Sequence, residues 1–239
     1  MPTVFIDGQA GTTGLEISQR LNDRQDIDLV TIEDTLRKDP AARLALMERA
    51  DVTILCLPDA AAMEAVALGT GRTRFLDAST AHRTAAGWTY GCPELQAGQR
   101  DAIAASDQVS NPGCYPQGFI LLIRPLLEAG VIERDALLNV FGLSGYSGGG
   151  RAMVERYQAF SAEQADALCA RPYGLTLAHK HRPEMQAYAG LSAAPLFSPT
   201  VANYYRGMLI EIPLHGQHCC SRCGMHQGPT GTLPSPMAG

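Results

Sequence analysis

The sequence predicts an α/β protein: a doubly wound parallel sheet in the first half, followed by an α+β substrate domain. Three observations carry this. Apolar strands alternate with helical patterns from residue 3 to about residue 110. The first strand runs straight into a glycine-rich turn that opens a helix. After a long apolar helix beginning near residue 114, the texture changes to a strand, a glycine-rich loop and further strands.

Taken in order, Pro2-Thr3-Val4-Phe5-Ile6-Asp7 reads as a buried strand over 3–7, and the turn from Gly8 to Gly14 leads to a helix over 13–22. Leu29-Val30-Thr31-Ile32 predicts a strand over 28–33. Asp39-Pro40 pairs a capping residue with proline at the first helical position, so a helix is expected over 40–49. Val52-Thr53-Ile54-Leu55-Cys56-Leu57 is nearly continuously apolar, as a parallel strand covered on both faces should be, giving a strand over 52–57. A helix over 59–69 and a strand over 73–77 complete a Rossmann-type unit. Its strand ends, Leu57-Pro58-Asp59 and Asp77-Ala78-Ser79-Thr80, should face a ligand. Beyond it, Leu137–Leu143 predicts a strand, 144–150 a glycine-rich loop, 152–168 a helix, and 198–202 and 208–214 two more strands. The chain is therefore divided at 1–113, 114–214 and 215–239, the last an atypical tail expected to be disordered.

Composition narrows the function. With 239 residues there is length for an ample core, and a net charge of −5 gives no footprint for nucleic acid. No apolar run reaches the roughly 18 residues of a membrane span, and the strand-like N-terminus lacks the features of an export signal. Seven cysteines without such a signal point to reduced thiols in the cytoplasm.

The chemistry concentrates at three places. Asn111-Pro112-Gly113-Cys114 puts a thiol at a helix start, where unpaired N–H groups and the helix dipole favour thiolate and lower its pKa; the plainer alternative is a small buried hydrophobe. Gly8, Gly11 and Gly14 give the spacing GxxGxxG, suited to a pyrophosphate resting on a helix N-terminus, though ordinary turns also use glycine. Glu33 ends the second strand where a ribose hydroxyl would be held. His179-Lys180-His181-Arg182-Pro183-Glu184-Met185 supplies imidazoles that titrate near neutrality; on its own it would read as a solvated loop.

At these residues the chain resembles the short-form N-acetyl-gamma-glutamyl-phosphate reductases, relatives of aspartate-semialdehyde and glyceraldehyde-3-phosphate dehydrogenases. The landmarks stand in order: GQAGTTG at 8–14, LRKD at 36–39, LCLPD at 55–59, DASTAHR at 77–83, YGCPEL at 90–95, NPGCYPQG at 111–118, GYSGGGR at 145–151 and HKHRPEM at 179–185. The resemblance implies reduction of an acyl phosphate to a semialdehyde in arginine biosynthesis, through a thioester on Cys114. His181 is the chosen acid/base, with His179 competing for that role or binding substrate. Gln117 resembles a substrate-orienting glutamine and otherwise reads as a helix-surface amide. Arg83 suits the acyl phosphate or the substrate carboxylate, its alternative being a surface ion pair. Gly8, Gly11, Thr12, Thr13, Gly14, Ser147, Gly148 and Gly149 are expected around the cofactor. The residues divide on which cofactor that is. Glu33 suits the ribose diol of NAD, while Arg37 and Lys38 suit the 2′-phosphate of NADP, and NADP is the form the resemblance implies. A homo-oligomer, dimer or tetramer, is expected.

The tail departs from the family. Cys220-x-x-Cys223 with nearby histidines has zinc-ligand chemistry, but without apolar periodicity after 214 the expectation is a truncated or out-of-frame end and no metal site. Two rival functions remain open at this level: another acyl-phosphate or semialdehyde dehydrogenase, and a nucleotide-binding protein with impaired catalysis.

Overall fold

The structure, a computed structural model, describes residues 1–167 and 169–215. Its first half runs β1 (Thr3–Asp7), α1 (Thr12–Asn22), β2 (Asp28–Val30), α2 (Pro40–Arg49), β3 (Val52–Leu55), α3 (Asp59–Gly69), β4 (Arg74–Asp77), β5 (Thr89–Tyr90), α4 (Gln99–Ala105) and β6 (Gln108–Ser110). These six strands form one parallel sheet in the order β2-β1-β3-β4-β6-β5. The chain steps outward from β1 in both directions, so the crevice for a ligand opens at the carboxyl ends of β1 and β3.

Helices cover both faces because both faces of the strands are apolar. Phe5 and Leu55 pack with Met47 of α2, Ala62 and Ala65 of α3, and Phe75. On the opposite face Val4, Ile6 and Ile54 meet Ile17 and Leu21 of α1. Burying each large side chain stabilises the fold by about 1.5–3 kcal/mol. The Asp39 carboxylate accepts the Ala41 N–H at 2.8 Å and Pro40 occupies the first turn, so α2 begins where the sequence places it.

The second half runs α5 (Cys114–Glu128), β7 (Asn139–Gly145), a 3₁₀ turn (Tyr146–Gly149), α6 (Arg151–Gln158), α7 (Ala162–Ala167), β8 (Ala170–Pro172), α8 (Arg182–Ala189), β9 (Leu196–Ala202) and β10 (Met208–Glu211). Its four-stranded mixed sheet has the order β10-β7-β9-β8, with β7 and β9 parallel and the outer pairs antiparallel. α5 and α8 cover one face through Tyr115, Phe119, Ile123, Met185, Val140 and Phe197. The other face presents Phe141 and Leu209, 49% and 56% exposed.

Some elements differ from the sequence reading. β5, α4 and β6 lie in the stretch before 110 where no individual elements were assigned; the two strands are only two and three residues long, too short for a periodic signal. β2, β3 and β10 stop two or three residues early. The single helix expected over 152–168 is two helices. Ser161 and Gln164 bond each other's backbone N–H groups, at 3.0 and 3.2 Å, a capping box that restarts the helix at Ala162. From residue 216 on, the tail, with Cys220 and Cys223, lies outside the described residues.

Candidate active site

A cavity of about 730 Å³ opens where the two sheets meet, lined by Cys114, Tyr115, Gln117, Arg83, His179, Lys180 and His181, with Thr13, Gly148 and Gly149 at its rim. Thr13 and Gly148 also line an adjoining cavity of about 440 Å³ with Ser147, Glu16, Arg20 and Arg206. A larger opening of about 940 Å³ lies at the amino ends of β3, β4 and β6, among Asp51, Arg74 and Gln108. It holds none of the predicted site residues, and in parallel sheets ligands bind at the carboxyl ends.

Cys114 is the first residue of α5, after Gly113, and no side chain caps that end. The thiol pKa is raised, contrary to the lowering expected from the sequence. Burial by the surrounding protein pushes the thiol up and outweighs the Tyr115 N–H and the Arg83 charge, which pull it down; Glu184 adds to the upward push. The residue itself is exposed to the cleft. The free thiol therefore needs a base.

His181 sits at the N-terminus of α8, buried, with Nδ1 hydrogen-bonded to nothing among the described residues. Burial first, then the charges of His179, Arg83 and Lys180, pushes its pKa down to about 3, so the ring is neutral at physiological pH. The Nδ1 of His179 accepts the His181 backbone N–H at 3.2 Å, which places the His179 proton on Nε2. His181 Nδ1, by contrast, is a buried ring nitrogen without a hydrogen-bond partner among the described residues.

Arg83 is held by a turn that Asp77 builds. The Asp77 carboxylate, wholly buried, accepts the Ser79 N–H at 2.9 Å and the Ser79 hydroxyl at 2.7 Å, and pairs with His82 Nδ1 at 2.6 Å. Trp88 stacks on His82 with ring centroids 4.1 Å apart. The Arg83 guanidinium then donates to the Ala78 carbonyl and to Glu184, each at 3.2 Å, leaving Nε–H buried without a partner among the described residues. Glu184 was not singled out from the sequence. Its carboxylate also accepts the Gly113 N–H and the Tyr90 hydroxyl, both at 2.7 Å, so it fixes the backbone just before Cys114. A Cβ on Gly113 would lie 2.5 Å from Arg83 Nη1 and 2.8 Å from Glu184 Oε2, so a larger residue there would displace that pair.

The glycines of the first turn divide by role. Gly8 has φ +92° and a Cβ would lie 2.4 Å from the Cys56 carbonyl; a Cβ on Gly14 would lie 2.4 Å from the Gly8 carbonyl. They close the turn. Gly11 caps α1, whose first-turn N–H groups no side chain engages, and Thr12 and Thr13 begin that helix. An uncapped helix start beneath a tight glycine turn fits a dinucleotide's pyrophosphate. Arg37 and Lys38 lie in the exposed turn after β2 and line neither cavity of the site. Gln9 ties the glycine turn to that segment, donating to the Ile32 carbonyl at 3.1 Å.

Comparisons with known proteins agree with this architecture. Residues 114–227 match the family model described as semialdehyde dehydrogenase, dimerisation domain. Among solved structures, aspartate semialdehyde dehydrogenase II from Vibrio cholerae superposes with a TM-score of 0.66 at 13% identity, over 89% of this chain and 73% of that one. A probable aspartate-semialdehyde dehydrogenase from Pseudomonas aeruginosa gives 0.62 at 16% identity. The fold is that of the semialdehyde dehydrogenases.

Sequence relatives narrow the class. The chain is 53% identical over 214 residues to N-acetyl-gamma-glutamyl-phosphate reductase 2 of Pseudomonas putida, covering 89% of this chain and 68% of that protein. It is 49% identical over 217 residues to the enzyme of the same name from Nostoc, covering 67% of it. The chain belongs to the N-acetyl-gamma-glutamyl-phosphate reductase family, as its motifs indicated, and spans about two thirds of those relatives' length.

Proposed function

We propose that the protein reduces N-acetylglutamyl 5-phosphate to N-acetylglutamate 5-semialdehyde with NADPH, through a thioester on Cys114, with residues 1–113 binding nucleotide and 114–214 carrying the chemistry. One observation supports this most: a single cavity holds a helix-start thiol, a buried neutral imidazole with a free nitrogen and a fixed guanidinium.

His181 takes the Cys114 proton as Sγ attacks the acyl carbon, the bond from that carbon to the phosphate oxygen breaks, and phosphate leaves. Gln117, one turn along α5, and Arg83, whose guanidinium borders the cavity, orient the acyl chain. His179 borders the same substrate. The nucleotide, when bound, supplies the hydride that converts the thioester to a hemithioacetal. His181 then returns its proton to sulfur as the hemithioacetal releases the semialdehyde.

For the cofactor, Gly8, Gly11 and Gly14 shape the turn, Thr12 and Thr13 open α1, and Ser147, Gly148 and Gly149 face it across the two cavities. Arg37 and Lys38 suit the 2′-phosphate of NADP and Glu33 suits the ribose diol of NAD; the choice of NADP rests on the family resemblance. The open face of the four-stranded sheet, where Leu209 stands opposite Leu143 and Phe141 is exposed, takes a second copy of the chain. Phosphate-dependent formation of NADPH from N-acetylglutamate 5-semialdehyde and NADP tests the activity; no turnover, or turnover independent of phosphate, would reject it.

A further inference from the structure

The substrate of the proposed reaction carries two anionic groups, a phosphate at the reacting end and a carboxylate at the other, and the cavity walls carry two cations and no carboxylate. The cations are not equivalent. Arg83 is buried and its charge is already balanced by Glu184 at 3.2 Å. Lys180 is exposed at the cavity and forms no ion pair among the described residues. Its charge also acts on Asp59, whose carboxylate accepts the Thr80 N–H at 2.9 Å and the Thr80 hydroxyl at 2.5 Å. Lys180 is also near enough to His179 and His181 to disfavour protonation of both.

An exposed ammonium that forms no ion pair among the described residues, beside a neutral base, is suited to a leaving phosphate, whose charge it stabilises in a partly desolvated site without placing a proton on the imidazole. Arg83, pinned and charge-balanced, is suited to directional hydrogen bonds with the carboxylate end. We infer that Lys180 is the phosphate-binding residue, holding the phosphoryl group of the substrate and inorganic phosphate in the reverse direction. The inference rests on the proposed activity for its substrate, and it assigns the two cations to opposite ends of that substrate.

The test uses the whole chain and needs no turnover. Iodoacetamide alkylation of Cys114, read by peptide mass spectrometry, is followed against inorganic phosphate, with chloride at matched ionic strength as control. Phosphate should protect Cys114 in the unsubstituted protein. In K180A the phosphate concentration for half protection should rise about tenfold or more, as loss of a charge-assisted contact requires, and K180R should recover most of it. In phosphate-dependent oxidation the KM for phosphate should rise in K180A by a similar factor, with the KM for semialdehyde changing far less. Absence of protection in the unsubstituted protein, equal protection in K180A, or a rise confined to the KM for semialdehyde would each overturn the assignment. A burst of NADPH from semialdehyde and NADP without phosphate reports separately on thioester chemistry: if the unsubstituted protein shows the burst but no protection, the lysine assignment fails and the proposed function stands.

Discussion

The Arg83 guanidinium and the Glu184 carboxylate meet at 3.2 Å, both side chains less than a tenth exposed, and join the loop after β4 to helix α8. The same carboxylate holds the Gly113 N–H and the Tyr90 hydroxyl. One buried anion thus fixes the guanidinium, the residue preceding the nucleophile and the helix that starts with His181. Removing one partner of such a pair leaves an uncompensated buried charge, at a cost of about 3–5 kcal/mol. Glu184→Ala should lose stability on that scale in urea unfolding. Glu184→Gln, which keeps an acceptor for Gly113 and Tyr90, should lose clearly less.

Backbone crowding gives a second expectation. A methyl group at Gly14 would sit 2.4 Å from the Gly8 carbonyl, a backbone atom that cannot swing aside. Gly14→Ala should distort the turn and weaken nucleotide binding by about tenfold or more, in line with a distortion costing over 1.4 kcal/mol. Gly71→Ala, where a Cβ meets nothing within 4 Å but φ is +73°, should lower stability while leaving nucleotide affinity near normal. Calorimetric titration with NADPH checks both.

Much of this was legible in the sequence, and the exceptions share a cause. Local signals work for α2, where Asp39 and Pro40 set the start, and for β1 and β3, whose apolar runs announce burial on both faces. Local chemistry also put Cys114 at a helix start. What local sequence does not carry is the packing around a group. The burial that raises the Cys114 thiol comes from segments distant in the chain, and Glu184, lying in the HKHRPEM motif, meets an arginine 101 positions earlier. The break between α6 and α7 was available, since Ser161-x-x-Gln164 is a capping-box spacing.

Acid should destabilise the fold through His181. Its pKa is depressed to about 3 in the native state by burial and neighbouring cations, against about 6.5 when unfolded. The unfolded chain therefore binds the proton first as pH falls. Stability is unaffected by this group above pH 6.5 and declines below it, by at most about 1.4 kcal/mol per pH unit, until the native histidine also protonates. His181→Asn should flatten the unfolding free energy between pH 6 and pH 4 relative to the unsubstituted protein. An unchanged slope would mean that the imidazole is solvated.

The open sheet face makes a prediction about assembly. Phe141 of β7 and Leu209 of β10 are exposed on it. A charge on such a face opposes burial against a second copy. Phe141→Asp with Leu209→Asp should shift sedimentation from an oligomer towards the monomer while leaving the far-ultraviolet circular dichroism unchanged. An oligomer that persists in the double variant would place the contact elsewhere.

Cofactor choice is tested at the turn after β2. The double substitution Arg37→Ala and Lys38→Ala should weaken NADPH binding by about tenfold or more through loss of charge-assisted contacts to phosphate, with NADH affinity little changed. Tighter binding of NADH than of NADPH, unchanged by the substitution, would assign the selectivity to Glu33.

The thioester on Cys114 is the centre of the account, and trapping it is the most direct measurement. The protein is incubated with N-acetylglutamate 5-semialdehyde and NADP without phosphate, quenched in acid and analysed as peptides by mass spectrometry. The account predicts an N-acetylglutamyl adduct on the peptide containing Cys114, discharged when phosphate is added before the quench and absent from Cys114→Ser. An adduct on another residue, or sustained turnover by Cys114→Ser, would contradict it.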